Sequence, residues 1–220
     1  MIHFYNPAML YDKEKIYRRL QIRKDTPAYS YTENIFSSLH ALAAEKMELF
    51  FCYKSIAPLP SFSASPLDLC GQWVLCLASC SDSINQVIQQ KLEEGEYLEG
   101  YLLNDLANEI LFNASNQMNR QIEKEMQEQG LRLTRRFSPG EPPMDLSYQK
   151  ELLALFEEES DLPVTLNSHY MLKPEKSMLY LFGASADPVS HPVGCECETC
   201  NFPNCPYAVP GEALECSRKR

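Results

Sequence analysis

The sequence predicts an α+β fold: a largely antiparallel sheet packed against helices, one of them long. Three observations lead there. Apolar residues recur at helical spacing between Asp12 and Ala43 and again after Ser81. Between those stretches lie two apolar runs of strand length, Leu49 to Ile56 and Trp73 to Cys80. From Glu96 to Gln129 there is no Pro, and no Gly except Gly100 near the start, so that stretch predicts one long helix. The order is helical first, then mixed, which is the signature of α+β architecture.

The elements follow in order. A first helix starts at about Asp12, with Ile16 and Leu20 one turn apart, and Asp25-Thr26-Pro27 breaks it. A second starts near Thr32, which caps it, and buries Ile35, Phe36, Leu39, Leu42 and Ala43. Leu49 to Ile56 is a strand, Pro58 to Pro66 a loop, and Trp73 to Cys80 a second strand. Ser81-Asp82-Ser83 caps a helix carrying Ile84, Val87, Ile88 and Leu92. The long helix, closed by Gly130, turns Leu98, Leu102, Leu106, Ile110 and Met118 inward. Leu131 to Phe137 alternates and predicts a strand; Ser138 to Pro143 is a rigid turn; a helix follows from about Ser147. Pro163 to Leu166 and Ser177 to Gly183 are further strands. These elements make one domain over 1–184, with an irregular Cys-rich tail over 185–220.

Bulk composition narrows the function classes. The chain has 220 residues, 45% hydrophobic, enough for a real core, and a formal net charge of -10. That acidity argues against a nucleic-acid partner and against an anionic membrane surface. The start of the chain shows no targeting pattern, and no apolar run spans a bilayer. Nine cysteines without an export signal fit a reduced, cytoplasmic setting better than a disulfide scaffold.

Four of those cysteines, Cys195, Cys197, Cys200 and Cys205, form the pattern C-x-C-x2-C-x4-C. Sulfurs converging from so short a segment need a cation or cluster between them. Iron–sulfur ligation, tetrahedral zinc with His191 as an alternative to Cys195, and disulfides are the three readings. Cys70, Cys76 and Cys80 lie in or beside an apolar strand and read as small buried hydrophobes.

A second cluster is Leu131-Arg132-Leu133-Thr134-Arg135-Arg136-Phe137-Ser138-Pro139-Gly140-Glu141. Alternation sends Arg135 and Arg136 to opposite faces, so one arginine can meet solvent and the other a ligand. A guanidinium grips a carboxylate through two parallel N–H bonds, and Gly140 allows close backbone approach. The ordinary reading of the same residues is a strand-end charge and a β-turn.

This string resembles the activation domain of cobalamin-dependent methionine synthase, above all the short stand-alone members of that family. The resemblance runs from Trp73 to Tyr207. It rests on the long helix, Arg136 to Gly140 as R-x-S-P-G, Gln149, Leu166-Asn167-Ser168-His169 as a strand, Pro174 to Ser177 as P-x-K-S, and Cys197, Cys200, Cys205 and Tyr207. It implies a twisted antiparallel sheet that binds S-adenosylmethionine through Arg136, Ser138, Pro139, Gly140 and Glu141. In the family the methyl group, with one electron, restores methylcobalamin from the inactive Co(II) state. The implied partner is a cobalamin-binding methionine synthase or another corrinoid protein, with an electron-donor protein beside it. Two positions depart from the family: Glu141 stands where it has Tyr, and Ser168 where it has an acid. A metal-stabilised interaction or electron-transfer module without the ligand is the alternative.

The remaining polar residues have ordinary readings: His169 as an exposed histidine, Lys176-Ser177 as a strand start with a surface charge, Asp105 on a solvated helix face, and Glu157-Glu158-Glu159 with Asp161 as a solvated charge run.

Overall fold

A computed structural model of the chain describes residues 1–157 and 161–186. In chain order they form β1 (His3–Tyr5), α1 (Lys13–Arg19), α2 (Pro27–Lys46), β2 (Leu49–Ile56), β3 (Gln72–Cys80), α3 (Ser83–Glu93), α4 (Tyr97–Glu128), β4 (Arg132–Leu133), α5 (Tyr148–Glu157), β5 (Thr165–Leu166), β6 (Leu172–Lys173) and β7 (Ser177–Ser185). Five strands pair antiparallel in the order β1-β2-β3-β7-β4, and β5 and β6 make a separate antiparallel pair. The α+β expectation holds, including the long helix. No described helix is long and apolar enough to cross a membrane.

The described residues fall into two compact units. One takes Met1–Ala8, Glu48–Ser81, 114–157 and 161–186, and therefore the five-stranded sheet, the β5–β6 pair and α5. Its central strand β3 pairs with β2 and β7 along almost its whole length. Trp73, Leu75 and Leu77 join Leu179, Leu181 and Phe137 on one face, where Leu152, Leu153 and Phe156 of α5 cover them. Val74, Cys76, Ala78, Tyr180 and Phe182 are buried on the other. Burial on both faces explains why β3 reads as a continuous apolar run rather than an alternating one.

The second unit takes Met9–Met47 and Asp82–Asn113, that is α1, α2, α3 and the first part of α4. Asp12 caps α1 by accepting from the Lys15 N–H at 3.1 Å. α3 ends at Gly95, with φ of 83°, and α4 ends in the other unit at Gly130, with φ of 74°. Leu131 N–H reaches back to Met126 O at 2.8 Å, closing the C-terminal turn of α4.

Several expectations are corrected. α2 begins at Pro27, not near Thr32: proline at the first helical position has its φ preset and gives up an N–H that had no partner there. Thr32 is instead buried inside the helix. Asp105 is not on a solvated face. Its Oδ2 accepts from Arg19 Nε at 3.0 Å, and Glu109 takes Arg19 Nη1 at 2.8 Å. Lys176 is buried rather than a surface charge, while its carbonyl accepts from the Cys80 N–H as a strand-start residue should. The strand expected over 131–137 is only Arg132–Leu133 plus a bridge from Phe137 to Leu181. The strand expected through His169 ends at Leu166. Asn167 Oδ1 accepts from the N–H groups of His169 and Met171 and folds the chain into a turn. β1 and β6, three and two residues long, were not anticipated.

Candidate functional site

The break in the strand after Leu133 builds the site. Leu133 pairs with Ala184 and Phe137 with Leu181, so one strand spends four steps where its partner uses three. One extra residue is a bulge, and bulges re-aim side chains. Thr134 makes this one tolerable: its N–H donates to Gly183 O, and its Oγ1 accepts the Gly183 N–H at 2.9 Å in place of a backbone carbonyl. The two arginines that follow are separated. Arg135 lies over the Phe137 ring, 4.1 Å from its centroid, and Arg136 over the Tyr180 ring at 5.3 Å. Phe137 and Tyr180 belong to opposite faces of the sheet, so the arginines do too.

Next comes a tight turn. Glu141 N–H donates to Ser138 O at 3.0 Å, with Pro139 and Gly140 at the two corner positions and Gly140 at φ of 89°. Pro then Gly with positive φ is the pattern of a type II turn. Gly140 N–H donates to Met144 O at 2.9 Å and Met144 N–H to Glu141 O at 2.8 Å, so the loop closes on its own backbone. A Cβ on Gly140 would sit 3.2 Å from Leu146 Cδ1. Pro139 is buried, Ser138 half-buried, and Glu141 comes back toward Arg136, Oε1 to Nη2 at 3.6 Å.

Tyr180 carries the site inward. Its hydroxyl donates to Asn119 Oδ1 at 2.8 Å and contacts Ser115 Oγ at 2.9 Å, both on α4. Asn119 is 1% exposed, and its Nδ2 has no hydrogen-bond partner. A buried donor in that condition is costly and marks a place to look for an absent acceptor. Cys76 is a further neighbour: burial pushes its thiol well up, Cys52 adds to that, and the Arg136 charge pulls the other way. The result is a set of fixed donors around one aromatic ring, suited to binding an anionic group.

Sequence reasoning singled out Arg136 and the turn; it did not single out Tyr180, Ser115 and Asn119, which the fold brings beside Arg136. A tyrosine on the apolar strand Ser177 to Gly183 was the one available signal. Ser168 and His169 sit in the exposed 167–170 turn. Cys52, Cys70, Cys76 and Cys80 are buried free thiols. Burial pushes Cys52 up to about 12 and Cys80, against a smaller pull from Lys176, to about 11. That is how small hydrophobes behave, as expected for Cys70, Cys76 and Cys80. Cys195, Cys197, Cys200 and Cys205, His191, and the 185–220 tail beyond Ala186 lie outside the described residues. Among the described residues, no group of three His, Cys, Asp or Glu side chains is placed to hold a metal.

No known protein-family model matches the sequence, and no curated protein does. Solved structures match in fold. One is described as the crystal structure of the MetH reactivation domain bound to AdoHcy: TM-score 0.61, 9% identity, covering 88% of this chain and 81% of that chain. At that identity the likeness is one of fold, and it agrees with the fold that the Arg136 to Gly140 resemblance implies.

Proposed function

We propose that this chain binds S-adenosylmethionine and acts as a reactivation module for a separate cobalamin-binding methyltransferase, methionine synthase first among them. The observation that carries the reading is Arg136: a bulge aims its guanidinium over Tyr180, at the entrance to a rigid Pro-Gly turn, on a fold similar to a domain solved with AdoHcy. The residues present fit such a ligand. Arg136 takes the carboxylate of the methionine part through the two parallel N–H bonds that a guanidinium offers. Glu141, half-exposed beside it, supplies negative charge toward the sulfonium. Asn119 Nδ2 is a buried donor in need of an acceptor.

The methyl group would pass to the partner's cobalt once one electron from a donor protein had reduced its Co(II) state, leaving S-adenosylhomocysteine on this chain. This chain contributes binding, orientation and electrostatics. The four tail cysteines are proposed to hold an iron–sulfur cluster or zinc.

Calorimetric titration tests the ligand reading. Wild-type protein gives a saturable heat with S-adenosylmethionine, and Arg136→Ala weakens it by about 10- to 100-fold, the worth of a charged hydrogen-bonded contact. No heat at millimolar ligand contradicts the reading. The Arg136–Glu141 contact is the one observation on the side of the alternative, an interaction module whose arginine is satisfied internally. If that alternative holds, Glu141→Gln destabilises the fold without altering any ligand affinity.

A further inference from the structure

We propose that Asn119, held by Tyr180 and Ser115, is a second donor to the ligand's carboxylate, working with Arg136. This rests on the S-adenosylmethionine reading and adds to it a residue on the long helix, outside the Arg136 to Glu141 string.

The argument starts from proton counting. A tyrosine hydroxyl has one proton, and that of Tyr180 goes to Asn119 Oδ1. The contact between Ser115 Oγ and the Tyr180 hydroxyl is therefore a bond that Ser115 donates. Three groups form a chain with one direction, Ser115 to Tyr180 to Asn119, and it ends on an N–H donor with nothing to receive it. With Oδ1 accepting from Tyr180, Nδ2 is the amide atom left without a partner. Hydrogen bonds aligned head to tail polarise one another, which makes the last donor a better partner for an anion than for a neutral acceptor.

The location supports an anion too. Arg136 lies 5.3 Å from the centroid of the ring whose hydroxyl holds Asn119. Two donors, one charged and one neutral, thus flank a single side chain. Ser115 and Asn119 are one helical turn apart on α4, so both reach Tyr180 from the same helix face. Oδ1 serves the Tyr180 hydroxyl, but Nδ2 in the same buried position has no hydrogen-bond partner, and a buried donor left unmade is costly. An acceptor on the ligand completes it.

The test compares two probes on three variants by calorimetry. S-adenosylhomocysteine carries the carboxylate; 5′-methylthioadenosine has the same nucleoside and thioether without it. Asn119→Leu is expected to weaken S-adenosylhomocysteine about tenfold and to change 5′-methylthioadenosine by less than about twofold. Asn119→Asp keeps an acceptor for the Tyr180 hydroxyl but turns a negative charge toward the ligand, and loses more. Tyr180→Phe frees the amide and costs a few-fold, again for S-adenosylhomocysteine only. Equal losses for both probes, or none for either, overturn the proposal while leaving ligand binding intact. Wild-type protein that binds neither probe overturns the ligand reading itself, and this inference with it. Should Asn119→Leu fail to fold, Asn119→Asp and Tyr180→Phe give the same comparison.

Discussion

Arg19→Met removes one cation from between two acids. The Arg19 side chain is 6% exposed and lies 3.0 Å from Asp105 and 2.8 Å from Glu109, whose own side chain is 2% exposed. Methionine keeps most of the apolar stem and deletes the charge between the two carboxylates, while Lys15, 3.7 Å from Glu109, and Asn113 Nδ2, which donates to Glu109 Oε1 at 2.9 Å, remain. Removing one partner of a buried pair costs about 3–5 kcal/mol. A chain of this length loses about 2–4 °C of Tm per kcal/mol, so the melting temperature falls by roughly 6–20 °C. The pH dependence follows from the wild-type charges. Burial by itself lowers the Arg19 pKa, but Asp105 and Glu109 outweigh it and the net shift is upward. A raised cation stays charged below its unfolded value, so the wild-type contribution is constant between about pH 4 and 9. Urea denaturation followed by circular dichroism at neutral pH reads the deficit. A deficit under about 1 kcal/mol refutes the reasoning.

Three more outcomes are expected. Glu99 is held below the ordinary carboxylate range by hydrogen bonds from Lys91 and then Tyr31, so its stabilisation is present above the unfolded value and is lost as pH falls through the folded one. Glu99→Gln therefore costs about 0.5–1 kcal/mol at pH 7, and a urea titration finds the gap closing below about pH 4. Gly140→Ala forces a side chain into positive φ and against Leu146, lowering stability by about 1–2 kcal/mol in chemical denaturation; an unchanged midpoint contradicts the turn described. Protein purified without oxygen carries iron with sulfide, or zinc, by elemental analysis, and Cys197→Ser with Cys200→Ser removes it; metal-free wild-type protein sinks the tail proposal.

The long helix, the strands at Leu49 and Trp73 and the helix after Ser81 were legible because helical spacing and apolar runs of strand length are local signals. What escaped depends on partners far along the chain. Asp105 reads as solvated until Arg19, 86 residues earlier, is brought to it. Thr32 looks like a cap because serine and threonine often are, yet Pro27 starts the helix a turn and a half earlier. The alternation over Leu131 to Phe137 is real, but alternation cannot reveal a bulge in which the Thr134 side chain replaces a carbonyl. The Arg136 to Glu141 string was visible as a string. Its companions were not, since Tyr180 and Asn119 meet it only through the pairing of β7 and the packing of α4, and neither is written in local spacing.

A crystal structure of the protein with S-adenosylhomocysteine tests the central claim most directly. The account predicts density for the ligand with its carboxylate between the Arg136 guanidinium and Asn119 Nδ2, beside the Pro139-Gly140 turn. Crystals grown at millimolar ligand in which that space holds the protein's own side chains, with no ligand density, would contradict it.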